Sequence, residues 1–143
     1  MSPARLVALV ALTVLAVGIA LALQRRRPDP PSAPSYRAPH QLDRNDFVSP
    51  ARRLLLVLFA STTCDSCPKT WMKIQEVVAQ LGDDGAELAV QRIDVQDGPE
   101  LHTRYRIDGV PTTLVADHDG VVTQAFFGPI TDEQLRRALE ISS

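Results

Sequence analysis

The sequence predicts an α/β fold whose elements follow the order β-α-β-α-β-β-α, that is, a sheet layered with helices. Short apolar runs of strand length alternate with segments in which apolar residues recur at helical spacing. Glycine and aspartate cluster between these segments, as turns require. Both cysteines of the chain, Cys64 and Cys67, stand at the junction of the first predicted strand and the first predicted helix.

Charge is distributed unevenly along the 143 residues. Residues 1–46 carry six Arg against three acidic residues, whereas residues 47–143 carry nine Lys or Arg against fourteen acidic residues. An acidic C-terminal domain argues against a nucleic-acid partner, because phosphate contacts need clustered basic side chains. Two cysteines are also too few for the scaffold of a small secreted disulfide-rich domain.

Residues 6–23 form an uninterrupted run of eighteen uncharged residues. As a helix, such a run spans about 27 Å, close to the hydrocarbon thickness of a bilayer. A cleaved signal peptide is the alternative, because residues 20–22 resemble a cleavage site. The length of the run and the three arginines that follow it favour a retained single-pass transmembrane anchor over residues 1–24, in contact with membrane lipid.

The arginines around this run predict its orientation. Arg5 stands alone before it, whereas three arginines at 25–27, then Arg37 and Arg44, follow it. Because positive residues stay preferentially on the cytoplasmic side, we expect the rest of the chain on that side of the membrane. An extracytoplasmic location is the alternative.

Residues 25–50 are expected to form a linker rich in Arg and Pro. Six of the eleven prolines fall within this segment. Prolines at such density favour an extended chain without a core. We interpret the segment as a semi-rigid spacer of roughly 3 Å per residue, which places the start of the folded domain at residue 51 and its end at residue 143.

The first half of the domain predicts a strand, a helix and a strand. Residues 54–60 are apolar throughout, as expected for a strand buried on both faces. Helical spacing over residues 68–81 predicts a helix that ends at Gly82. Residues 87–95 then predict the second strand.

The second half predicts a short helix, two strands and a last helix. Residues 100–105 follow Pro99, which suits the first turn of a helix. Two apolar strands, residues 112–116 and 121–127, are joined by a hairpin-type turn of Asp, His, Asp and Gly. Thr131 begins the last helix. The residues expected on its inner face are Leu135, Ala138 and Leu139.

The Cys64-Asp65-Ser66-Cys67 segment predicts redox chemistry. Its three-residue offset places both sulfurs at the first turn of the helix, where unpaired backbone N–H groups and the helix dipole favour a thiolate. We therefore assign Cys64 as the nucleophile that attacks a target disulfide. Cys67 is assigned as the thiol that resolves the resulting mixed disulfide.

A zinc site is the alternative use of such a cysteine pair. Zinc normally takes four ligands, often two such pairs or one pair with two histidines. His40, His102 and His118 stand far apart and show no ligand spacing, so we interpret them as surface residues. Neither a metal nor a cofactor is expected.

From about Leu54 onward, the chain resembles the thioredoxin family in the order and spacing of its motifs. The matching segments are the strand at 54–60, the cysteine motif at 64–67, the strand ending at Val95, the Gly109-Val110-Pro111-Thr112 segment and Phe127-Gly128 before the last helix. This resemblance implies a thioredoxin-like fold, with a central mixed sheet flanked by helices. It also implies a thiol–disulfide oxidoreductase that acts on disulfides or dithiols of protein partners and receives electrons from an upstream reductase.

The resemblance also implies a substrate-binding face. Pro111 would be cis and would lie against the disulfide, and the backbone of Val110 would pair with an extended substrate. Thr63 is expected to line the rim of the active site. Trp71 stands one turn beyond the cysteines and is interpreted as a core residue.

The chain departs from the family pattern at several positions. The family's active-site Trp, Gly and Pro are replaced by Thr63, Asp65 and Ser66, and a Lys and a helix Pro by Val90 and Met72. The buried Asp that accepts the proton of the resolving thiol is replaced by Leu58. Because that acid is missing, the alternative function is a non-catalytic, redox-responsive binding module or tether.

Overall fold

The computed structural model describes residues 36–141. Its strands are β1 (Leu54–Ala60), β2 (Leu88–Asp94), β3 (Thr112–Ala116) and β4 (Val122–Phe127). Its α-helices are α1 (Cys67–Ala79), α2 (Pro99–Arg104) and α3 (Asp132–Ile141), and short 3₁₀ helices span Arg44–Asp46 and Gly82–Glu87. The predicted element order is confirmed.

The predicted transmembrane anchor at residues 1–24 lies outside the described residues, as does the first part of the predicted linker. Within residues 36–141, none of the helices combines the length and the apolar composition that a membrane crossing requires.

The four strands form one mixed sheet in the order β2-β1-β3-β4. β1 is parallel to β2 and antiparallel to β3, and all seven of its residues are buried, as its apolar sequence predicts. Phe59 lies opposite both Ile93 and Thr112. The last residues of β1 and β2 and the first residue of β3 therefore meet at one edge of the sheet, where the cysteine segment begins.

The sheet carries an apolar core on each face. Alternate residues of β1 belong to different cores, because successive side chains of a strand point to opposite faces. The α1/α3 core comprises Leu54, Leu56, Leu58, Ala60, Cys67, Ile74, Val77, Leu88, Val115, Ile130, Leu135, Ala138 and Leu139. The α2 core comprises Leu42, Phe47, Leu55, Val57, Phe59, Ala89, Ile93, Tyr105, Leu114 and Ala116. The inner face predicted for the last helix is thus confirmed.

The packed part of the chain starts before residue 51, where the sequence places the domain boundary. Leu42 and Phe47 fall in the predicted linker, yet they are only 1% and 5% exposed and belong to the α2 core. The N–H of Leu42 donates to the carbonyl of Gly120 at 2.8 Å, and Gly120 has a φ of +82°. A Cβ at Gly120 would overlap the Leu42 carbonyl oxygen, so this turn needs glycine for both reasons.

Tyr105, at the end of α2, forms hydrogen bonds with this N-terminal segment. Its ionisation should therefore change the free energy of unfolding. Its hydroxyl donates to the Asp46 carboxylate and accepts from the Asp43 N–H at 3.0 Å. Burial and the bond to Asp46 raise the pKa of Tyr105 to about 12. Because the unfolded pKa is near 10, the stabilisation is complete below pH 10 and is lost as pH rises toward 12.

We therefore expect Tyr105→Phe to lower the free energy of unfolding by about 1–2 kcal/mol at pH 8. Between pH 10 and 12 the difference between wild type and variant should shrink. Urea unfolding at pH 8, 10 and 11.5 measures it, with Tyr36→Phe as the control. A difference that stays constant over this range would contradict the role given to the hydroxyl.

Most predicted element boundaries agree with the structure to within two residues. The first helix starts at Cys67, with Pro68 in its first turn, and it ends at Ala79 instead of Leu81. The 3₁₀ helix Gly82–Glu87 was not predicted, because its polar, glycine-containing sequence has the composition of a loop.

Thr113 carries a buried polar atom that makes no hydrogen bond within residues 36–141. Its side chain is fully buried. It lies on the same face of β3 as Val115 of the α1/α3 core. The neighbouring Thr112 is 2% exposed, but its hydroxyl donates to the Gly109 carbonyl at 2.7 Å.

The two threonines give a matched pair of predictions. Thr113→Val should raise the free energy of unfolding by about 1 kcal/mol, because it removes an unpaired buried hydroxyl. Thr112→Val should lower it by about 1–3 kcal/mol, because it leaves the Gly109 carbonyl without its donor. Denaturant unfolding compares the two, and a loss of stability in Thr113→Val would show that its hydroxyl is paired.

Candidate active site

The two cysteines lie at the sheet edge described above and are joined by a disulfide. Their Cα atoms are 5.5 Å apart. β1 ends just before Ser61, a short loop follows, and α1 begins at Cys67. Pro68 occupies the first turn, where its missing N–H leaves no hydrogen bond unmade.

The two sulfurs have different surroundings. Cys67 is 0% exposed and packs in the α1/α3 core, whereas Cys64 is only partly buried and packs against the same core from outside. The Cys67 backbone N–H donates to Cys64 Sγ at 3.2 Å. This contact favours negative charge on Cys64 after reduction, because an N–H at a helix N-terminus stabilises a thiolate.

A hydrogen-bonded clamp holds the loop before Cys64. The Gln96 side chain accepts from the Thr62 N–H at 3.1 Å and donates to the Ser61 hydroxyl at 3.0 Å. The Ser61 and Thr63 hydroxyls are 2.9 Å apart. Thr63 is exposed and directly precedes Cys64 in the chain.

The Val110-Pro111 segment begins β3 at the same edge of the sheet. Its peptide bond is cis, as the family resemblance implies, and Pro111 is buried. The Pro111 carbonyl accepts from the Gly128 N–H at 2.8 Å. Val110 packs against the α1/α3 core, as Cys64 does, so the structure brings the predicted substrate-binding segment and the cysteines to one face.

An exposed aromatic pair lies next to this segment and was not predicted. The rings of Tyr36 and Phe127 stack with their centroids 5.5 Å apart, and both side chains are more than 40% exposed. Tyr36 also lies so close to Gly109 that a Cβ there would overlap its ring. Tyr36 falls in the predicted linker, so its sequence position gave no signal of this contact.

The positions that depart from the family pattern differ in how deeply their side chains are buried. Leu58 is fully buried in the α1/α3 core together with Cys67. Trp71 and Val90 are partly buried and pack against that core, which confirms the core interpretation of Trp71. Met72 is 59% exposed on the outer face of α1.

The charged side chains near the cysteines are on the surface. Asp65 and Lys69 are exposed. Lys73, farther along α1, pairs with Asp132 of α3 at 2.5 Å. This hydrogen bond raises the pKa of Lys73 and lowers the pKa of Asp132. Lys73 is thus directed toward α3.

The three histidines differ in their exposure. His40 and His118 are exposed, as predicted, but His102 is 6% exposed, and the prediction of a surface residue is wrong there. Its Nε2 bonds the Ile93 carbonyl at 3.1 Å, and its ring packs edge-on against Phe59. In the β3–β4 turn, His118 and the neighbouring Asp117 and Asp119 bring side-chain atoms of the kinds that bind metals close to one another.

Comparison with known proteins agrees with this architecture. The thioredoxin family model matches residues 40–141. Thioredoxin Y, chloroplastic, of Oryza sativa subsp. japonica is 28% identical over 96 residues, which are 67% of this chain and 55% of that protein. The chain therefore spans little more than half the length of this curated relative.

Solved structures show the same fold. A thioredoxin of Fasciola hepatica superposes with a TM-score of 0.56 and 21% identity, covering 66% of this chain and 85% of that chain. Chloroplastic thioredoxin z superposes with a TM-score of 0.55 and 23% identity, covering 63% and 78%.

The family match includes the sheet, all three helices and the cysteine motif. A thioredoxin domain with a bonded cysteine pair supports thiol–disulfide exchange as its general activity. Since the match covers most of the 143 residues, the chain belongs to the thioredoxin family.

Proposed function

We propose that the protein reduces disulfides in partner proteins, with Cys64 as the nucleophile and Cys67 as the resolving thiol. The observation that carries this proposal is the asymmetry of the pair. Cys64 is partly accessible and accepts an N–H at the helix N-terminus, whereas Cys67 is fully buried. Only an accessible sulfur can meet a disulfide on another protein.

The exchange proceeds in two balanced steps. The Cys64 thiolate attacks one sulfur of the target disulfide, forms a Cys64–target S–S bond and expels the other target sulfur as a thiolate, which takes up a proton. The Cys67 thiol then loses its proton and attacks Cys64 Sγ. This step forms the Cys64–Cys67 disulfide and releases the second target thiol. An upstream dithiol reductase returns the pair to the reduced state, and no further cofactor is required.

The segment around Val110 supports binding of an extended protein segment. Among residues 36–141, no hydrogen bond occupies the Val110 backbone N–H or carbonyl. A substrate strand beside Cys64 can therefore pair with it, as in recognition by strand addition. Thr63 and Pro111 would then border the bound segment.

We also propose that residues 6–23 anchor the protein in a membrane as a single-pass helix, with the thioredoxin domain on the cytoplasmic side. The apolar run and the arginines after it support this assignment. The full chain should stay with membranes after high-salt and carbonate washing. A mature N-terminus near Leu23 in secreted material would instead identify a cleaved signal peptide.

A redox-responsive binding module is the second candidate. It is favoured by Leu58, which places a hydrocarbon side chain in the same core as Cys67, at the position where the family has its buried acid. Insulin reduction with dithiothreitol as electron donor separates the two functions. An oxidoreductase accelerates the reaction catalytically, and Cys64→Ser removes the acceleration. A binding module gives no acceleration in either form.

A further inference from the structure

The hydroxyl of Ser66 is directed at the sulfur of Cys64. Ser66 is the N-cap residue of α1, a position where serine normally accepts a hydrogen bond from a backbone N–H of the first turn. Here the side chain makes no such bond. Its Oγ lies 3.6 Å from Cys64 Sγ instead.

This contact would be strengthened by reduction of the disulfide. A disulfide sulfur is a weak acceptor, whereas a thiolate carries a full negative charge and accepts strong, charge-assisted hydrogen bonds. Ser66 and Cys64 are two residues apart in the chain, so the hydroxyl would remain within reach of the sulfur when the S–S bond is broken. Together with the Cys67 N–H, the thiolate would then have two donors.

Other charged groups around Cys64 act on the same ionisation. Asp65 lies within the motif and opposes a thiolate, whereas Lys69 of α1 favours it. Asp108 precedes the Val110-Pro111 segment, and a negative charge near the sulfur would also oppose a thiolate. All three side chains are exposed, so solvent screens their effect. A direct hydrogen bond is not screened in this way.

We propose that Ser66 is a catalytic residue that donates a hydrogen bond to the Cys64 thiolate and thereby lowers the pKa of that thiol. Ionisation releases the thiol proton to solvent, and the hydroxyl keeps its own proton. The use of this thiolate in turnover rests on the proposed function, but the ionisation itself can be measured without a substrate.

The test uses the full chain with Cys67→Ser, so that Cys64 is the one thiol. The pKa of Cys64 is obtained from the rate of alkylation by iodoacetamide between pH 5 and 10. Adding Ser66→Ala should raise this pKa by about one unit. Well below both pKa values, a pKa higher by one unit leaves about ten-fold less thiolate, but the remaining thiolate is more nucleophilic. The rate of alkylation should therefore fall only about three- to four-fold.

Two variants and a stability measurement serve as controls. Ser66→Thr keeps the hydroxyl and should restore the lower pKa. Asp65→Asn removes a neighbouring negative charge and should shift the pKa downward, opposite to Ser66→Ala. The melting temperature of Ser66→Ala should be unchanged, because the side chain makes no cap bond.

An unchanged Cys64 pKa in Ser66→Ala would overturn the inference, as would failure of Ser66→Thr to restore it. Insulin reduction by the wild-type chain is scored separately. Reduction with an unmoved pKa refutes the role of Ser66 and leaves the proposed function intact. A shifted pKa without insulin reduction supports the role of Ser66 and refutes the proposed function.

Discussion

Cys67→Ser is expected to accumulate mixed disulfides with partner proteins, whereas Cys64→Ser should form none and should exchange at least about a thousand-fold more slowly than wild type. The reason is the difference in access to the two sulfurs. Cys64 is partly exposed, and Cys67 is enclosed by the α1/α3 core. With Cys67 removed, the first step proceeds and the second has no nucleophile.

The measurement is a comparison of thiol-quenched extracts on non-reducing gels, followed by mass spectrometry of the adducts. The double variant Cys64→Ser/Cys67→Ser controls for adducts that do not involve the pair. Equal trapping by the two single variants would contradict the assignment of nucleophile and resolving thiol.

Leu58→Asp should have the second-largest effect, a loss of about 3–5 kcal/mol in the free energy of unfolding near neutral pH. Leu58 is fully buried in the α1/α3 core, which also contains Cys67, and a charged carboxylate there has lost its water. Burial raises the pKa of the introduced carboxyl above its unfolded value near 4. The loss is therefore smallest below pH 4 and grows as pH rises, until the pH exceeds the folded-state pKa.

Leu58→Asn is the matched control, since it has a similar size and polarity without an ionisable group. Its loss of stability should not vary over the same pH range. If the family's buried acid accepts the proton of the resolving thiol, Leu58→Asp should also shorten the lifetime of the mixed disulfide relative to Leu58→Asn, where both variants remain folded. Identical pH profiles of stability in the two variants would show that position 58 is not sealed from water.

Local sequence patterns were sufficient to predict the strand and the helix that position the cysteines. The strand Leu54–Ala60 is central in the sheet, and burial on both faces requires a continuous apolar run that is easily read. The first helix was identifiable because its buried side follows helical spacing at Ile74 and Val77. The cis bond before Pro111 required the family resemblance, because sequence alone does not show the isomer.

Contacts between distant parts of the chain could not be predicted in this way. Leu42 and Phe47 are isolated apolar residues among prolines, and their burial depends on a sheet face formed by residues farther along the chain. His102 is buried because its ring nitrogen reaches a strand carbonyl. The hydrogen bonds of Gln96 to the loop before Cys64 had one signal in the sequence. Gln96 is a polar residue that follows a strand at the edge of the sheet where the cysteine segment begins.

The role proposed for Ser66 could not be predicted from the sequence either. A serine before a helix is expected to cap it, and only the direction of its hydroxyl distinguishes a cap from a contact with Cys64 Sγ. Replacement of the family's proline marks the position as unusual but does not show which partner the hydroxyl has.

The most direct test of the account is a single-turnover reaction between the reduced full chain and a protein disulfide such as oxidised insulin. Both partners are alkylated at intervals and weighed by mass spectrometry. We predict that one Cys64–Cys67 disulfide forms for each insulin disulfide lost, through a transient adduct at Cys64. Insulin disulfides that stay intact while the pair remains reduced, or an adduct at Cys67, would contradict the claim that this pair is a disulfide-exchange centre.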